Sequence, residues 1–83
     1  MGTNNTAVVT ATTNHNILLG IVKQGTTKNA VAQKAGIPKT TFNRKVDGYS
    51  DFTLAELGAV AEALNLTLGD ILPVNLLIAK DAA

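Results

Sequence analysis

Eighty-three residues, 46% of them apolar and only 16% charged, suit one small domain with enough hydrophobic material to fold, and are too apolar for a disordered tail. The absence of cysteine excludes disulfides and thiolate metal sites, and no apolar run approaches bilayer length or follows a basic leader, so the chain reads as soluble and intracellular. The net charge of +1 hides an uneven distribution: Lys23, Lys28, Lys34, Lys39, Arg44 and Lys45 meet no acid in residues 1–46, whereas residues 47–83 set Asp47, Asp51, Glu56, Glu62, Asp70 and Asp81 against Lys80 alone. Such a split describes a basic pole suited to a polyanion and an acidic pole turned away from it, although charges of this kind also simply solvate a surface.

Residues 1–14, MGTNNTAVVTATTN, are rich in Thr and Asn, carry one β-branched pair at Val8 and Val9, and show no helical period. They read as a flexible arm or an isolated strand; an arm entering a minor groove would carry Arg or Lys, and this one carries none. From Asn16 the pattern turns helical, with Ile17, Leu18, Ile21 and Val22 on one stripe and Gly25 as the stop. Thr27 caps a second helix, KNAVAQKA, which ends at Gly36. Pro38 opens a third that runs to about Val46, with Gly48 just past its end.

Thr53-Leu54-Ala55-Glu56 is a capping box, and Phe52 before it can staple onto Leu57. The fourth helix therefore starts there, its Leu54, Leu57, Ala61 and Leu64 recurring at helical spacing up to a stop at Asn65. Thr67 and Asp70 repeat the same grammar in a short fifth helix that Pro73 ends, with Leu66 and Ile71 as its staple. The aliphatic tail VNLLIAK, residues 74–80, asks to be covered, and with Val8 and Val9 it is the candidate dimer contact.

The second helix, its glycine turn and the third helix form a helix-turn-helix. With Phe42 set at 0° and about 100° added per residue, Val46 falls near 40° and shares the buried side, while Thr40 falls near 160° and Arg44 near 200°, directly opposite. Asn43 flanks them and Lys39 projects from the amino-terminal end. These groups suit a major groove: Arg to guanine O6 and N7, Asn to adenine N6 and N7, Thr to a base edge or a thymine methyl.

The run TKNAVAQKAGIPKTTFNRKVDG followed by FTLAELGAVAEALNLTLGDIL resembles the lambda-repressor-like, Cro/repressor-type DNA-binding domain of phage repressors and bacterial regulators, over residues 16–72. The resemblance implies an all-α, five-helix helix-turn-helix domain over residues 15–73, with the 1–14 arm before it and the 74–83 tail after it. It implies base contacts from Lys39, Thr40, Arg44 and Asn43. Phosphate contacts are implied near Thr27 and Lys28 and in the loop around Tyr49 and Ser50, and Lys45 is expected to face phosphate or solvent. Arg44 can also serve as a phosphate clamp, and Tyr49 as a packing residue. Lys45 stands where the family carries an apolar residue, so the third helix is expected to be slightly rotated. The loop DGYSD is acidic where the family is often basic, which puts phosphate contact there on backbone N–H groups, Ser50 or Tyr49.

No carboxylate pair, phosphate-binding glycine loop or Ser/His/Asp arrangement is present in the sequence, and His15 stands alone at a helix start, suited to capping or to the surface. The expectation is a non-enzymatic, sequence-specific transcription regulator without metal, cofactor or small-molecule ligand. It would bind a partly palindromic operator in double-stranded DNA as a homodimer, within the cytoplasm of a bacterial host and away from membranes. The alternatives are a protein-interaction module of antitoxin or antirepressor type, a low-specificity architectural or excision-type DNA protein, and the headpiece of a longer repressor.

Overall fold

The fold begins with a helix that the composition of its first half does not advertise. A computed structural model describes residues 5–72, with side chains from residue 9, and assigns α1 (Asn5–Gln24), α2 (Lys28–Ala35), α3 (Lys39–Val46), α4 (Leu54–Ala63) and α5 (Leu68–Ile71). Among the described residues there is no strand, and no helix is long and apolar enough to cross a membrane. The five-helix, all-α expectation holds.

The arm or strand expected over residues 1–14 does not: from Asn5 onward that stretch is the amino-terminal half of α1. The reason lies in what faces the core. Thr13 and Asn14, four and three residues before Ile17 and so one turn back on its face, are only 4% and 8% exposed, and the buried stripe of α1 continues backward through polar residues that a hydrophobic-periodicity reading passes over. Tertiary packing overrides the weak helix propensity of Thr and Asn here. Toward the other end Val22 is 76% exposed, so the buried stripe is narrower than Ile17, Leu18, Ile21 and Val22 together.

The core gathers Ile17 and Ile21 from α1, Val31 and Ala32 from α2, Phe42 and Val46 from α3, Leu57, Val60 and Ala61 from α4, and Leu64, Ile37 and Ile71 from the flanking turns and α5. Leu54 was expected on the buried face of α4 and lies instead 66% exposed in its first turn, while Val60, further along the helix, is fully buried. α2 packs most extensively on α4, and α1 touches both α3 and α5. Gly20 lets α1 lie close to the turn between α4 and α5: a Cβ there would meet Leu64 Cδ1 and Leu66 Cδ1 at 3.2 Å. Asn16 Nδ2 then donates to the Ile71 carbonyl at 2.7 Å and ties α5 down.

Helix ends follow the sequence closely. Thr27 Oγ1 accepts from the Ala30 N–H, and reciprocal capping boxes form at Thr53/Glu56 and Thr67/Asp70. Gly25, Gly36, Gly48 and Asn65 take the left-handed position after α1 to α4, and each of those ends closes with a backbone bond spanning five residues, as from the Tyr49 N–H to the Arg44 carbonyl at 2.9 Å. Residues 74–83, the expected tail and dimer contact, lie outside the described residues, as does the side chain of Val8.

Candidate nucleic-acid interface

The turn Gly36-Ile37-Pro38 sets α3 against α2. Ile37 is buried, Pro38 stands at the N-cap of α3, one position earlier than the sequence suggests, and the Phe42 N–H donates to its carbonyl at 2.8 Å. Phe42 is fully buried and Val46 nearly so, and the Phe42 ring meets Phe52 edge-on with centroids 5.8 Å apart. These two anchors turn one stripe of α3 inward, which leaves Lys39, Thr40 and Arg44 exposed on its far side and Asn43 half-buried on its flank.

α2 presents its amino-terminal end on the same side. Lys28 Nζ lies 4.0 Å from Asp47 Oδ1, just past α3, so the start of α2 and the end of α3 are neighbours. Thr27 and Lys28 are exposed there, at a helix end whose first-turn N–H groups and dipole favour an anion. Thr27 Oγ1 accepts the capping bond from Ala30 at 3.1 Å, and its own proton stays available to a phosphate oxygen. Past the end of α3, Tyr49 is 74% exposed, and the Arg44 guanidinium sits over its ring at 5.6 Å from the centroid, within cation–π range. Ser50 is half-buried beside it.

Lys45 has a different environment from the other cations of the helix. Its Nζ donates to Glu56 Oε1 at 2.6 Å, and its side chain is only 15% exposed. The same Glu56 oxygen accepts the Thr53 N–H at 2.8 Å as part of the α4 capping box. Hydrogen bonding from Lys45 first, and from the Thr53 backbone second, lowers the Glu56 pKa below its ordinary 4.5. A lysine at a position where an apolar residue is expected is thus accommodated by covering its stem and pairing its head. The phosphate contact expected of Lys45 has no support in this geometry. Sequence reasoning also gave no role to Asn14, whose Nδ2 donates to the Lys45 carbonyl at 3.2 Å from α1; no motif marks it, because its partner is 31 residues away.

A short helix anchored by two apolar residues, showing cations and hydrogen-bonding side chains outward beside the start of a second helix, defines a helix-turn-helix DNA-binding domain. The chain belongs to the family of the Cro/C1-type HTH DNA-binding domain, whose model matches residues 21–75. It is a DNA-binding regulator that acts on double-stranded DNA. No curated protein and no solved structure matches the chain.

Proposed function

We propose that the chain is a sequence-specific transcription regulator, repressor-like in action, that lays α3 in the major groove of a partly palindromic operator and binds as a homodimer. The observation that carries this reading is the division of α3 into a buried side, Phe42 and Val46, and an exposed side, Lys39, Thr40 and Arg44. In this reading Arg44 addresses guanine, Asn43 and Thr40 address neighbouring base edges, and Lys39 reaches the groove from the start of the helix. Thr27, Lys28 and Ser50 hold phosphates, and these contacts set register without reading sequence. One such helix reads about half a site, and a two-fold partner supplies the other half along with added affinity.

Titration of a selected operator duplex and a scrambled duplex against salt tests the reading. Lys28 on a phosphate gives a log–log slope of at least about −1 per protomer, rising to about −3 where Lys39 and Arg44 also lie against phosphates, from roughly 0.9 per phosphate neutralised, with tighter binding to the operator. Equal affinities would point to an architectural DNA protein, and a zero slope to a protein-interaction module.

A further inference from the structure

Two side chains that stand outside the groove-facing surface converge on one residue of α3. Asn14, 8% exposed on α1, donates to the Lys45 main-chain carbonyl at 3.2 Å, and Glu56, in the first turn of α4, accepts from the Lys45 ammonium at 2.6 Å. Lys45 is therefore held at both ends, main chain from one helix and side chain from another, one residue away from Arg44. Asn14 also lies before the residues that the family model covers, 21–75, in the part of α1 that the composition concealed.

We propose that Asn14 and Glu56 are positioning residues for base reading: they fix the roll and pitch of α3 about Lys45, and so the place where Arg44 and Asn43 meet the base edges. The inference rests on the reading of α3 as the groove helix. The physical case is that Phe42 and Val46 anchor one stripe of the helix and leave it free to rock about that line, whereas hydrogen bonds from α1 and α4 are directional and remove that freedom. Base contacts tolerate displacements of only about 0.5 Å, while contacts to phosphates, made by long flexible cations, tolerate more. Loss of the clamp thus falls on sequence discrimination and spares non-specific binding. Glu56 serves two partners with one oxygen, and substitution separates them, because a capping box accepts Gln in place of Glu while the charge pair with Lys45 does not.

The test compares the 83-residue wild type with Asn14→Leu, Glu56→Gln and Ile71→Val, each checked for folding by circular dichroism at the assay temperature. Ile71→Val thins the core at α5 without touching Lys45 and controls for a general loss of stability. Affinities for a selected duplex and a scrambled one are measured at two salt concentrations. Asn14→Leu and Glu56→Gln should each lower the selected-over-scrambled ratio about three- to tenfold, the worth of one partly buried hydrogen bond, with the salt slope unchanged. Ile71→Val should leave the ratio at its wild-type value. A wild type that discriminates while both clamp variants keep its ratio overturns the positioning role alone; a wild type that does not discriminate overturns the groove reading as well. Equal losses in all three variants reduce Asn14 and Glu56 to stability and overturn the proposal. If Asn14→Leu does not fold, Glu56→Gln decides by the same comparison.

Discussion

Asp47 Oδ1 lies 4.0 Å from Lys28 Nζ, so the acid that follows α3 neighbours the cation that opens α2, the cation proposed to meet a phosphate. Both side chains are about half exposed, at 50% and 45%, and such a pair adds little to stability. Its consequence is for binding. If Lys28 meets a phosphate as proposed, Asp47 competes with DNA for it and adds a negative charge beside the backbone. Asp47→Asn should raise affinity for operator and scrambled duplex alike by about three- to tenfold in low salt, and steepen the salt dependence by up to about 0.9, the share of one phosphate. Fluorescence anisotropy titrations read both; a selective gain on the operator alone would assign Asp47 to base reading.

The Arg44 guanidinium rests on the Tyr49 ring. The ring, not the hydroxyl, makes that contact, so Tyr49→Phe should keep operator affinity within about twofold. Tyr49→Ala should lose roughly two- to fivefold on the operator, in line with an exposed cation–π pair of about 0.5–1 kcal/mol. A loss of equal size in both variants would make the hydroxyl a phosphate donor, the role the sequence suggested for it.

Acid should loosen the domain at a definable point. Glu56 has its pKa lowered by Lys45 and by the Thr53 backbone, and Asp70 has its own lowered by the Thr67 backbone bond in the second capping box. A carboxyl depressed in the folded state contributes stability that is fully present above its unfolded value, 4.5 for Glu56 and 3.8 for Asp70, and that is lost as pH falls through the lowered folded value. Urea midpoints should hold near neutrality and fall below about pH 4.5. Glu56→Gln should flatten that fall, and an unchanged profile would show that the pair does not persist in solution.

Thr13 Oγ1 is buried with no hydrogen-bond partner among the described residues. Val has nearly the same shape without the hydroxyl. Thr13→Val should therefore stabilise the domain by about 1 kcal/mol, read as a raised urea midpoint at constant m-value. Destabilisation would mean that the hydroxyl finds a partner.

Much of the fold was legible because its punctuation is local. Thr27, Thr53 and Thr67 cap helices by bonds to N–H groups three residues on, and Gly25, Gly36, Gly48 and Asn65 end them by left-handed turns, so the chemistry of each boundary is contained in a few adjacent residues. The outward set of α3 was legible for the same reason: once Phe42 is placed inside, helical geometry dictates where Thr40 and Arg44 point. What escaped depends on distant neighbours. Thr13 and Asn14 are polar yet buried, because α1 lays them against the rest of the fold, and no window of sequence around them says so. Val22 and Leu54 are apolar yet exposed, each at the margin of a stripe whose width is set by the packing partner. Lys45 looked like a free cation until the packing placed Glu56 beside it, although both residues were in plain view.

Selection of bound sequences from a random duplex pool, run with wild type and with Arg44→Ala, tests most directly whether α3 reads bases through Arg44. Wild type should enrich two inverted half-sites spaced by about one helical turn, roughly 10 base pairs between centres, and Arg44→Ala should lose preference at one position in each half while keeping the rest. Enrichment of the same motif by both proteins, or of none by wild type, would contradict that reading.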